Sequence, residues 1–246
     1  MRLGVAGWGI ASRYLDQLPI GGTHLERYAR VFSAVEINTS FYRHHQLGTY
    51  ARWAQSVGPA FRFSVKTPKA LTHEGSLGHT DHAVLERFLG EVAGLGAKLR
   101  ALLIQLPPSL PFERADAEGF LTQLRRRIAP TVAIVCEPRH ASWSSDTAEA
   151  LFKELAVSRS AVDPPRWRQD AIPGGGPHLA YFRMHGSPRT YFSDYAPPRL
   201  ETLARELQAA MRNCDELWCI FDNTAHGYAI GNALSAQRLL NVVSGL

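Results

Sequence analysis

Eight times along this chain a short apolar run, often β-branched, ends abruptly in polar or charged residues, and few folds accept that pattern. The clearest case is TVAIVCEPRH at 131–140, where Val132 to Cys136 give way to Glu137, Pro138, Arg139 and His140. A strand buried on both faces reads as a continuous apolar run, and its polar tip marks the edge where chemistry can occur. The same grammar recurs in SAVEINTSFY, FRFSVKT, LRALLIQLP, SRSAVD, LAYFRMHG and ELWCIFDNT. The runs begin near residues 3, 33, 61, 99, 131, 158, 179 and 216. Their mean spacing of about thirty residues is what a strand, a helix and two loops need.

Between the runs lie amphipathic helical patterns: Val84, Leu85, Phe88, Leu89 and Val92; Phe120, Leu124 and Ile128; Leu200, Leu203, Leu207 and Met211. Thr80 or Asp81, Ser144 and Ser145, and Pro197 with Pro198 supply helix-start signals. Eight alternating units with no linker or shift in composition predict an α/β protein, a single TIM-type (β/α)8 barrel over residues 1–246. Its sixth βα unit is irregular, because the prolines and the Gly174 to Gly176 run within 163–177 leave little room for a helix. That segment reads as a flexible loop, and 185–198, rich in aromatics, as a lid.

Strand residues alternate between the two faces, so phase predicts what points inward. Phe61, Phe63 and Val65 should face the helices and leave Lys66 inside; Tyr181, Arg183 and His185 share the inward phase of their run, and Glu36 shares one with Asn38. The mouth at the strands' C-terminal ends then collects Glu36, Asn38, Lys66, Gln105, Glu137, Arg139, Asp163, Arg183, His185, Asp222 and Asn223, while the N-terminal ends look comparatively bare. Barrels of this kind carry their active sites at the C-terminal face. Carboxylates flanked by Lys and Arg suit proton transfer on a small anionic or polyhydroxyl substrate. Glu36 and Glu137 are the proton-transfer candidates, with Lys66 and Asp222 beside them; Lys66, Arg139 and Arg183 serve as anchors.

Other classes fare less well. Gly7, Gly9 and Ser12 approach a dinucleotide fingerprint, yet Glu36 follows Gly7 by 36 − 7 = 29 residues where about 20 are needed, so no cofactor is expected. His73, Glu74 and His79 miss the zinc-protease spacing, and a Glu36, Asp163, His185, Asp222 metal set would be opposed by neighbouring cations. Glutamine and histidine (Gln105 and His185) stand where many barrel glycosidases place their two carboxylates. Three cysteines form neither a disulfide framework nor a zinc motif. No apolar stretch is long enough to span a membrane and none reads as a signal peptide, so a cytoplasmic location is expected. A net charge of +5, the Arg125 to Arg127 run and the Arg166, Arg168 loop leave nucleic-acid or polyanion binding as the alternative. The substrate, metal dependence and oligomeric state are not legible.

Six blocks, GVAGW, VEINTSFYR, FRFSVKTPKALTHE, VAIVCEPRHASW, AYFRMHG and FDNTAHGYAIGNA, resemble the domain of unknown function 72 family, the YecE-like proteins, in the same order from Leu3 to about Leu240. The resemblance implies a cytoplasmic TIM-type barrel with no assigned reaction. It also implies shared polar positions at Glu36, Asn38, Phe41, Tyr42, Lys66, His73, Glu137, Arg139, Trp143, Arg183, His185, Asp222 and Asn223. Asn38, Tyr42, His73, Arg139, Trp143, Arg183, His185 and Asn223 are accordingly expected to bind substrate. Family members often carry Phe where Pro138 stands, and a proline there stiffens the approach to Arg139.

Overall fold

A computed structural model describes residues 1–244 except 76 and 80, and only the backbone at 242–244. The eight apolar runs, the sixth of them divided, and the glycine pair at 174–175 form strands β1 (Arg2–Val5), β2 (Ala34–Ile37), β3 (Arg62–Lys66), β4 (Leu99–Gln105), β5 (Ala133–Glu137), β6 (Val157–Arg159), β7 (Ala161–Asp163), β8 (Gly174–Gly175), β9 (Leu179–Met184) and β10 (Glu216–Phe221). Between them lie helices α1 (His24–Ala29), α2 (Leu47–Gln55), α3 (Lys69–Thr72), α4 (His82–Val92), α5 (Arg114–Arg125), α6 (Asp146–Glu154), α7 (Pro197–Met211) and α8 (Ala229–Ser244).

This is a mixed α/β fold with two parallel sheets, ordered β1-β10-β9-β7 and β2-β3-β4-β5-β6-β8. They approach at two places. Ala6 bridges Glu36, backed by Gly7 N–H donating to the Glu36 carbonyl at 2.8 Å. At Ser160 the sixth run is cut in two: β6 pairs with β5, whereas β7 pairs with β9. The glycine run is not a free loop, because Gly174 and Gly175 pair antiparallel with β6 as β8. No helix follows it, as the sequence anticipated for the sixth unit.

Strand phase divides the core. Val35, Phe63, Val65, Ile134, Phe182, Met184 and Cys219 belong to the apolar layer beneath the helices. Ala34, Leu103, Val135, Tyr181, Trp218 and Ile220, drawn from both sheets, meet in a second cluster on the inner side. Helix starts use the expected signals. Asp81 accepts from Ala83 N–H and Val84 N–H, Ser145 caps α6 through Ala148 N–H, and Pro197 opens α7. Thr80, the other cap candidate, lies outside the described residues.

Candidate functional site

Beyond the inner apolar cluster, the strands' C-terminal ends bring polar side chains together around Arg183 of β9, which is fully buried. Arg183 Nε and Nη2 donate to Glu36 Oε2 and Oε1 at 3.0 and 2.6 Å, a bidentate pair. Its Nη1 donates to Glu137 Oε2 at 2.5 Å and its Nη2 also to Asp222 Oδ2 at 2.9 Å. One guanidinium thus ties β2, β5 and the residue after β10 to β9, the task its planar fork of donors suits. His185 lies between Asp222 Oδ2 (3.1 Å from Nδ1) and Glu137 Oε1 (3.3 Å from Nε2).

Burial disfavours ionisation of Glu137, but the charges of Arg183 and then His185 outweigh it and hold the carboxyl well below its usual range. Asp222 is likewise lowered, burial being overcome by Arg183 and by the His185 hydrogen bond. Burial opposes charge on His185 too, yet the Glu137 charge outweighs it and raises the imidazole's pKa. Tyr181 donates to Glu36 Oε2 at 2.9 Å; burial and then Glu36 push its phenol far above the ordinary range. Glu36 therefore meets Arg183 twice and Tyr181 once, and Glu137 meets Arg183, His185, Arg139 (3.1 Å) and Arg166 (3.4 Å). Both carboxylates expected to move protons have their oxygens already engaged by donors.

Lys66, at the end of β3, is the exception. It is 6% exposed, its Nζ donates to Gln105 Oε1 at 2.8 Å, and it sits 4.0 Å above the Phe41 ring. Among the described residues no carboxylate forms an ion pair with it. Burial and then Arg183 lower its pKa to about 8. Arg139 Nη2 donates to the same Gln105 oxygen at 3.0 Å and to Tyr191 Oη at 2.7 Å. Two cations sharing one neutral acceptor leave N–H donors free for an anion. The His73 ring packs edge-on to Phe41 at 4.9 Å, and burial, Lys66 and Arg139 depress its pKa. Asn38 Nδ2 donates to Asp222 Oδ1 at 3.3 Å, while its Oδ1 is buried with no protein partner.

Four expectations need correction. Trp143 does not reach this cluster: its indole N–H donates to the Leu110 carbonyl at 3.0 Å and its ring packs against Phe112 and Phe152, because it lies on a turn facing α6. Asn223 turns aside and donates to the Ser193 carbonyl and Asn232 Oδ1, holding the 185–196 loop. Asp163 ends β7 on the outward phase of Ala161 and binds Tyr195 and Arg199, so the four-residue metal set does not converge. Tyr42 is 75% exposed and touches Phe41, outside the buried charges. Among the described residues no His, Cys, Asp and Glu side chains group to hold a metal ion.

The opposite edge is also not bare. Glu216 accepts from Arg2 Nε at 2.8 Å, Arg100 Nε at 2.6 Å and Trp218 Nε1 at 2.8 Å, and Arg62 and Lys98 lie nearby, donating to carbonyls that precede strands. These charges sit at strand beginnings, where the apolar runs drew no attention to them. Of the basic run, Arg127 pairs with Glu86 at 2.5 Å and Arg125 turns inward to donate to the Val132 carbonyl, so the run offers no continuous strip of outward cations to an extended phosphate backbone. The sequence assigns Arg166 only to a loop for polyanions and Tyr191 only to the expected lid; in the structure Arg166 binds Glu137 and Asp170, and the Tyr191 ring meets His185 at 5.5 Å. Both come from loops whose return to the mouth no periodicity encodes.

The model of a family described as "Protein of unknown function DUF72" matches residues 2–245. The chain belongs to the DUF72 family. UPF0759 protein YecE of Escherichia coli K12 is 36% identical over 106 residues, 43% of this chain and 39% of that protein's length, so the match spans well under half of YecE. A DUF72 crystal structure from Enterococcus faecalis superposes with a TM-score of 0.80 at 24% identity, covering 98% of this chain and 95% of that one. A xylose isomerase domain containing protein from Salmonella typhimurium is similar in fold alone, with a TM-score of 0.52 at 12% identity, covering 98% and 95%. No helix among the described residues of this DUF72 chain is long and apolar enough to cross a membrane.

Proposed function

We propose that the two sheets are arcs of one closed (β/α)8 barrel, and that its C-terminal mouth is the active site of a cytoplasmic enzyme acting by acid/base chemistry on a small anionic substrate. The two places where the sheets approach, and an inner apolar cluster fed by both, favour closure. The observation that carries the functional reading is the Lys66 and Arg139 pair converging on the neutral Gln105 oxygen beside buried carboxylates. A phosphate or carboxylate of the substrate accepts from Arg139 and Tyr191. Lys66, ionising near pH 8, exchanges a proton with the reacting carbon or oxygen close to neutrality.

In this reading Glu137 and Asp222 stay ionised and, with Glu36, set the field. They hold Arg183 and His185 rigid, so that little reorganisation accompanies charge development. The unpartnered Asn38 Oδ1 takes a substrate hydroxyl, which extends the range to phosphorylated or carboxylated polyols. Nucleic-acid binding is the weaker reading, since Arg127 pairs with Glu86 and Arg125 turns inward, which leaves no continuous basic strip along the surface.

A thermal-shift panel of phosphorylated and carboxylated polyols, followed by turnover assays on those that bind, tests this. Lys66→Met is expected to abolish turnover while retaining binding, and Arg139→Ala to weaken binding. Turnover that survives both changes undiminished would remove the assignment.

A further inference from the structure

The N-terminal edge of the sheets forms a half-open cleft of about 740 Å³ whose lining includes Arg62, Arg100, Arg125, Ser158, His178 and Asp215. That volume falls in the range of small-molecule sites. Its walls come from the beginnings of β3, β4, β5, β6 and β9, the end of the sheets remote from Lys66 and Arg183.

Two observations set this cavity apart from a merely structural floor. The first is charge. Arg62 donates to the Pro59 and Phe61 carbonyls and Arg125 to the Val132 carbonyl, so neither cation meets a carboxylate among the described residues. Arg125 Nε is buried with no partner at all. Of the nearby acids, Glu216 is shared by Arg2 and Arg100, and Asp215 pairs with His178 at 2.7 Å. Like charges gathered at a half-buried wall repel, and an anion among them relieves that repulsion.

The second observation is the backbone. Register between β3 and β4 slips at Phe63/Ser64: Phe63 faces Leu99, but Ser64 faces Ala101, which leaves Arg100 as an extra residue. A bulge of this kind re-aims a side chain, and bulges concentrate beside functional sites. Here it delivers Arg100 to the cavity, where its Nη1 also anchors on the Thr131 carbonyl.

We propose that this cavity is a second anion site, separate from the mouth, that takes the phosphate groups of a small phosphorylated molecule on Arg62, Arg100 and Arg125. A cleft bounded by five strand starts and lined by three arginines at its wall favours a compact ligand over an extended polymer. Arg62 and Arg125 supply the contacts that depend on the ligand, because Arg100 is already held by Glu216.

Titration calorimetry with pyrophosphate as the probe tests it, on the full chain at low and at high salt. The parent is expected to bind saturably, with affinity falling as salt rises. Arg62→Gln and Arg125→Gln should each weaken binding about tenfold or more, the scale of one lost charge-assisted hydrogen bond. Lys66→Met should leave this binding intact, which separates it from failure of the mouth assignment. In the unaltered protein, pyrophosphate should protect Arg62 and Arg125 from phenylglyoxal, read by peptide mass mapping, so the test does not depend on a variant that folds. An affinity unchanged from the parent's in both Gln variants would overturn the proposal, as would protection confined to Arg139 and Arg166 or an oligonucleotide that binds there and resists displacement by pyrophosphate.

Discussion

Lys66 carries the proposed chemistry, and its burial has a measurable cost. It ionises near 10.5 in the unfolded chain and near 8 when folded, so between those values the unfolded state holds more protons and stability rises with pH. Below pH 8 the whole penalty is present, about 3 kcal/mol on the scale of 1.36 per pKa unit. Lys66→Met should therefore raise the urea midpoint at pH 7, and its advantage should shrink between pH 8 and pH 10.5; a constant difference across that range would show that Lys66 is not held as a costly cation. Trp143 behaves in the opposite way. Fully enclosed between Phe112 and Phe152, it should cost about 3–5 kcal/mol as Trp143→Ala, with ligand affinity per folded molecule unchanged. A loss of affinity in the folded fraction would return it to the site. The sequence signal for Lys66 was its phase in FRFSVKT, a local property, whereas Trp143 entered through resemblance to a family, which records that a residue is shared and is silent on whether it packs or binds.

Among the elements, β1 and the sixth run decide how the sheets meet. Gly4 lies in β1 where a Cβ would run into the Ala34 carbonyl of β2, so only glycine lets the two strands approach at that seam. Gly4→Ala should part them near the Ala6–Glu36 bridge, lower the melting temperature and speed amide exchange in β1 and β2 ahead of β4 and β5. Uniform exchange across all four strands would mean that the seam is not a local weak point. The sixth unit's irregularity was legible because proline and glycine act on the backbone directly. Its outcome was not: that β6 and β7 would serve different sheets, and that Gly174 and Gly175 would pair back on β6, depends on which edges the rest of the fold leaves open.

At the scale of the whole molecule, Arg183 joins side chains from residues 36, 137 and 222, so the mouth and the fold stand or fall together. Removing one partner from a buried ionic network leaves uncompensated charge, and Arg183→Met should cost about 3–5 kcal/mol or more at pH 7. The deficit should narrow as pH falls, because the abandoned carboxylates, released from Arg183, take up protons at higher pH than in the parent. A variant as stable as the parent in urea at pH 7 would show that the network contributes nothing net. The sequence alone determined the main strands, their phase and the end of each that carries Glu36, Lys66, Glu137, Arg183 and His185, because apolar periodicity and side-chain alternation are properties of neighbours along the chain. Only the tertiary structure decided that the expected proton carriers are locked in ion pairs, that Lys66 and Arg139 share one neutral oxygen, and that the far edge holds its own arginines. Those outcomes depend on distances between residues far apart in sequence, and on burial, which sets whether a charge is matched or left in need of a ligand.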